Sequence, residues 1–150
     1  MTISKHSKID RFYYDESTYF DKDTGNQTDF GSRFQRYRIS KVLQIYKPKK
    51  TEDVLDLGCG WGTFSFFLGP LTRNVVGVDF SKKSIAICNR LLEKSRYRNI
   101  KFVRADAQKT GLESESFDCI ISADLFEHLY PKDFEEVLDT FSPIEDFVQC

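Results

Sequence analysis

Clustered cysteines, histidine, surplus charge of either sign and long apolar runs are all scarce in this chain, and each scarcity removes a class of protein. Its 150 residues include four cysteines and two histidines. Cys59, Cys88, Cys119 and Cys150 are scattered with no C-x-x-C pair, whereas a zinc site needs clustered ligands. No metal centre is expected, and thiols spaced like this read as reduced and buried in an intracellular protein. Lysine and arginine number 22 against 23 aspartates and glutamates, so there is no basic footprint for nucleic acid. The short clusters at Lys47, Lys49, Lys50 and at Lys82, Lys83 read as solvated ends. No run approaches the roughly 20 apolar residues of a membrane span, and no apolar stretch follows Lys5 and Lys8 as a secretory signal requires. The composition therefore implies a soluble, cytoplasmic chain, large enough for one domain with a real core and too small for two.

What is present is concentrated in Val54-Leu55-Asp56-Leu57-Gly58-Cys59-Gly60-Trp61-Gly62. An apolar run ending in a carboxylate reads as a buried parallel strand. Glycines at alternate positions let the backbone turn sharply and approach a ligand closely. Phe64, Phe67, Leu68 and Leu71 then recur at helical spacing, so strand, turn and helix form one unit. In open α/β sheets, ligands bind at that edge, outside the carboxyl ends of the strands. The spacing is D-x-G-x-G-x-G. A dinucleotide fingerprint would place its third glycine at Thr63, and a P-loop would need a Gly-Lys-Ser/Thr ending.

The rest of the chain arranges itself around this turn. Residues 1–31 are polar yet rich in aromatics, including Tyr13, Tyr14, Tyr19 and Phe20, too many for a disordered tail, and are expected to pack as a cover segment. Residues 32–46 follow helical periodicity, with Ser32 as N-cap, Pro48 beyond the end, and Phe34, Tyr37, Val42 and Ile45 as the inner stripe. Residues 74–79 form a second strand ending in Asp79, which lies roughly 20 residues past the glycines, where an acid reaches ribose hydroxyls. Ser81 caps a helix carrying Ile85, Cys88, Leu91 and Leu92 on its inner face. Residues 99–104 read as a third strand leading into Ala105-Asp106-Ala107, and residues 117–122 as a fourth, leading into Ala123-Asp124-Leu125-Phe126-Glu127-His128-Leu129. A helix with Phe134, Val137, Leu138 and Phe141 on one face follows.

Taken in order, residues 53–129 resemble the class I S-adenosylmethionine-dependent methyltransferases. The resemblance implies a Rossmann-like, doubly wound parallel α/β sheet with helices on both faces, in the strand order 3-2-1-4-5-7-6. It implies S-adenosylmethionine as cofactor and a small-molecule methyl acceptor. The cofactor-binding residues it suggests are Asp56, Gly58, Gly60, Gly62, Asp79, Phe80, Asp106, Ala107 and Asp124. Asp56 would complement the sulfonium and ammonium, Asp79 would accept from the ribose hydroxyls, and Asp106 would accept from the adenine amino group with the Ala107 amide beside the ring. Phe80 either stacks near adenine or belongs to the core, and Trp61 either closes over the cofactor or packs on the next helix. Glu127 either serves the ligands or is an ordinary acid at a helix start. His128, next to the reacting edge, is the candidate catalytic base; a packing or capping role is equally open.

At the C-terminus the chain and the family part company. Residues 142–150 look too short for further strands, so the expected sheet is 3-2-1-4 with its C-terminal part missing. The fourth strand then becomes an exposed edge that invites self-association. The domain division expected is a cover segment at 1–31 and a cofactor-binding domain at 32–150. Two other readings stay open: a non-catalytic, cofactor-binding remnant, and a nucleotide-dependent oxidoreductase.

Overall fold

A computed structural model describes residues 31–113, 116–123, 125–141 and 146–149, apart from the side chains of Glu127 and of 146–149. The aromatics of the expected cover segment and Asp124 lie outside these residues. In chain order the elements are helix α1 (Arg33–Ile45), strand β1 (Asp53–Leu57), helix α2 (Thr63–Leu68), strand β2 (Asn74–Asp79), helix α3 (Lys82–Glu93) and strand β3 (Ile100–Arg104). Strand β4 (Cys119–Ser122), a 3-10 turn (Phe126–His128), helix α4 (Pro131–Phe141) and strand β5 (Asp146–Gln149) follow.

The strands form one sheet in the order β3-β2-β1-β4-β5, every neighbouring pair parallel. Parallel neighbours need crossovers, which put helices on the faces. Successive strand residues divide accordingly between two apolar clusters. Val54, Val75, Ile100, Phe102, Cys119 and Ile121 pack with α1, α2 and α3, while Leu55, Leu57, Val78 and Ile120 pack with Phe126 and with Val137 and Phe141 of α4. This is the doubly wound arrangement that the resemblance implied.

Two expectations need correction. The sheet does not end at β4: Cys119 to Ser122 pair with Asp146 to Gln149 in parallel register. Strand β4 is therefore internal, and the reasoning that made it a sticky edge fails. Strand β5 takes up that strand's second row of backbone groups, so four residues suffice where the length of the tail argued against any. The sheet holds the first five strands of the seven-strand order.

The second correction concerns α1. Ser32 caps it as expected, accepting from the Gln35 amide. Its buried positions, however, are Gln35, Ile39 and Val42, with Tyr46 just beyond, while Phe34, Tyr37 and Ile45 are exposed. Residues 35, 39, 42 and 46 keep one helical face; Phe34, Tyr37 and Ile45 do not share it, although Val42 does. Helix α2 departs in the other direction, burying Phe66 as well as Phe64 and Leu68. It can lie this close to the sheet because Gly77 in β2 has no side chain; a Cβ there would stand 2.7 Å from Phe102 and 2.8 Å from Ser65 Oγ.

Candidate cofactor site

The glycine turn runs from the end of β1 into α2, with Gly58, Gly60 and Gly62 all at positive φ. It is tied to β2 at three points. The Gly58 and Cys59 amides both donate to the Val78 carbonyl at 2.8 and 2.9 Å, and the Gly60 amide donates to Asp79 Oδ2 at 2.9 Å. Gly62 N-caps α2 at φ 80°, and a Cβ there would meet Phe102 at 3.0 Å and Phe66 at 3.1 Å. Gly60 is different: a Cβ would meet nothing within 4 Å. The turn is packed at its end and open at its tip, as a ligand cradle requires.

Asp79 closes the turn from the other side. Its Oδ1 accepts from the Ser81 amide at 2.9 Å while Oδ2 holds Gly60. Two backbone donors thus fix the carboxylate at the sheet edge. Next to it, Phe80, Arg104, Ala105 and Asp106 line a cavity of about 230 Å³. Arg104 Nε donates to the Phe80 carbonyl at 3.0 Å, so the end of β3 holds the residue that follows β2. Phe80 lines this opening and is half-buried. Asp106 is exposed beside it and Ala107 is half-buried.

Asp56 is placed differently from the others. It is 1% exposed, beneath the turn, and its Oδ2 accepts from the Ser65 amide at 2.9 Å and the Ser65 hydroxyl at 2.5 Å. Complete burial raises its pKa from 3.8 to about 6, against the opposing pull of the Ser65 hydrogen bonds and Arg38; Asp79 adds to the rise. The carboxylate braces α2 against β1. Trp61 is 4% exposed, which favours its packing role.

Arg38 is a residue beside this carboxylate that the sequence reading did not single out. It is half-buried, with its guanidinium carbon 5.2 Å from the Phe64 ring centre and 5.7 Å from that of Phe34. It donates to Gln35 Oε1 at 3.2 Å and lowers the pKa of Asp56. A signal existed: a carboxylate in an apolar strand needs a cation nearby, and Arg38 adjoins the buried stripe. Arg104 was likewise read only as strand.

The loop after β4 covers the turn. A Cβ on Gly58 would stand 3.0 Å from Leu125 Cβ, and the 3-10 turn that follows carries His128, exposed at its end. The cavity beside Asp79 and the candidate base therefore lie on one sheet edge. Among the described residues no group of three His, Cys, Asp or Glu could hold a metal ion, and no helix is long and apolar enough to cross a membrane.

Comparison with known proteins agrees with this fold. The family profile described as "Methyltransferase domain" matches residues 54–144, more than half of the chain. The chain belongs to that family, and its fold is the family's S-adenosylmethionine-binding fold. A ubiquinone biosynthesis O-methyltransferase of Pelagibacter ubique is 31% identical over 136 residues, covering 88% of this chain and 55% of the relative. The PH0226 protein of Pyrococcus horikoshii is 30% identical with a TM-score of 0.68, covering 92% of this chain and 64% of that one. The magnesium protoporphyrin IX methyltransferase of Synechocystis, solved with S-adenosylmethionine bound, shares the fold at a TM-score of 0.72 and 19% identity, covering 99% of this chain and 77% of that one. The chain thus spans about half the length of the ubiquinone-biosynthesis relative. Family membership removes the oxidoreductase reading.

Proposed function

We propose that this chain is the cofactor-binding domain of an S-adenosylmethionine-dependent methyltransferase that methylates a hydroxyl group of a small molecule. The observation that carries the reading is the Asp79 carboxylate, fixed by the Gly60 and Ser81 amides beside the cavity of Phe80, Arg104, Ala105 and Asp106. A fixed carboxylate suits a ribose diol, since it can accept from both hydroxyls without reorganising. Phe80 and the Arg104 guanidinium offer planar surfaces for a purine, and Asp106 offers an acceptor for its amino group. The open tip at Gly60 admits the chain that joins ribose to the methionyl end. There Asp56 supplies negative potential for the sulfonium and ammonium, and Arg38 supplies a cation for the carboxylate.

When bound, S-adenosylmethionine supplies an electrophilic methyl group whose leaving group is already in place. The chain's own work is then to hold the acceptor in line and keep water out. His128 takes the proton from the acceptor oxygen as that oxygen attacks, work worth roughly 10²–10⁴-fold. The oxygen acceptor rests on the likeness to the Pelagibacter O-methyltransferase. Residues 1–31 are assigned to covering the site and 32–150 to binding the cofactor.

The test is release of S-adenosylhomocysteine with a panel of phenols, amines and carboxylic acids. Turnover confined to hydroxyl acceptors supports the proposal. Cofactor binding without turnover on any acceptor would favour the non-catalytic reading.

A further inference from the structure

The cofactor turn carries a second feature that methyl transfer does not use. Cys59 lies between Gly58 and Gly60, and Cys88 lies on the inner face of α3; both are buried, at 7% and 0% exposure. Their sulfurs both lie against the Gly60 carbonyl, Cys59 Sγ at 3.9 Å and Cys88 Sγ at 3.3 Å. We propose that these thiols are a redox pair, and that their oxidation to a Cys59–Cys88 disulfide switches off cofactor binding. The effect on the cofactor rests on the proposed function; formation of the bond does not.

The chemistry needs a peroxide. One thiol attacks it, becomes a sulfenic acid and releases one water from hydrogen peroxide. The second thiol then displaces the sulfenic oxygen as another water while the S–S bond forms. Two thiols lose two electrons and two protons, and one peroxide becomes two waters.

The mechanical consequence follows from where the two residues are anchored. A disulfide brings its sulfurs to about 2.05 Å, well inside non-bonded contact. Both thiols belong to one core cluster, but Cys88 is held within helix α3 while Cys59 lies outside any helix or strand, so the turn is the part that moves. Moving Cys59 toward α3 pulls on the amides of Gly58, Cys59 and Gly60, which hold Val78 and Asp79. It also removes both S–H donors from the Gly60 carbonyl. The carboxylate assigned to the ribose thereby loses its fixed position. Burial pushes the Cys59 thiol up, away from its reactive thiolate form. Oxidation therefore requires the turn to open, and a ligand seated on the turn slows it.

The experiment uses the whole reduced chain, treated with hydrogen peroxide with and without S-adenosylmethionine, then alkylated and digested. Expected are a linked Cys59–Cys88 peptide, slower linkage in the presence of S-adenosylmethionine, and an affinity for S-adenosylmethionine about tenfold or more weaker that dithiothreitol restores. Cys88→Ala should keep its affinity through the same treatment, and thermal melting confirms that the variant is folded. Absence of the linked peptide in peroxide-treated protein would overturn the proposal, as would a linked protein that binds as tightly as the reduced one. If reduced protein binds no S-adenosylmethionine, the proposed function fails, while the linked peptide still decides whether the thiols are a pair.

Discussion

Replacing Asp56 with asparagine tests the electrostatics of the site without changing its shape. The wild-type carboxyl is fully buried, with a pKa raised from 3.8 to about 6. The folded state therefore holds this proton more tightly than the unfolded chain. Stability from this group is greatest below pH 3.8, falls as the pH rises toward 6, and levels off above that. The gap corresponds to about 3 kcal/mol, a large share of a whole-domain stability of about 5–15 kcal/mol. The asparagine in Asp56→Asn carries no charge, and its amide oxygen can still accept from Ser65. Any loss of packing it causes does not vary with pH, so the difference between variant and wild type isolates the carboxylate. Urea denaturation from pH 4.5 to 7.5 should show the variant gaining on wild type as pH rises to about 6, then no further gain. A difference that stays flat over this range would refute the claim that the fold buries a costly charge here. The reason to keep that charge would then show in binding: Asp56→Asn should weaken S-adenosylmethionine more than S-adenosylhomocysteine, which lacks the sulfonium.

Other outcomes follow from the same geometry. Gly62→Ala should melt well below Gly60→Ala, because both strain a positive φ by about 1–2 kcal/mol but only at Gly62 does the new Cβ meet Phe102 and Phe66; equal melting temperatures would contradict the packing described. Gly60→Ala should instead be folded and poor at binding cofactor, as calorimetry would show. His128→Ala should lower turnover by roughly 10²–10⁴-fold with unchanged cofactor affinity, and an equal loss of affinity would make His128 a binding or structural residue. Arg38→Met should weaken S-adenosylmethionine by about 1.5–3 kcal/mol, the worth of a hydrogen bond to a charged group, with partial recovery in Arg38→Lys; unchanged calorimetric affinity would remove Arg38 from the site.

Much of this was legible in the sequence, for local reasons. Ser32 and Ser81 each accept from the amide three residues on, as cap chemistry dictates. The apolar runs at 54–57, 75–78 and 119–122 could only be strands covered on both faces. What escaped the sequence was set by partners distant along the chain. Strand β5 is only four residues long and takes its form from pairing with β4. The inner face of α1 includes Gln35, which accepts from Arg38, so counting aromatics chose the wrong stripe. Gly77 matters through Phe102 and Ser65, remote in sequence and visible only after folding. Asp56 was found for its charge toward the sulfonium and ammonium; its tie to Ser65 depends on where α2 lands.

The most direct test of the cofactor assignment is calorimetric titration of the reduced chain with S-adenosylmethionine, beside Asp79→Ala and beside titration with a nicotinamide dinucleotide. Expected are one saturable S-adenosylmethionine site per chain, weakened in the variant at least by the about 1.5–3 kcal/mol of a hydrogen bond to a charged group, and no site for the dinucleotide. A folded wild-type chain that binds the dinucleotide and not S-adenosylmethionine, or a folded Asp79→Ala variant that binds as tightly as wild type, would contradict it.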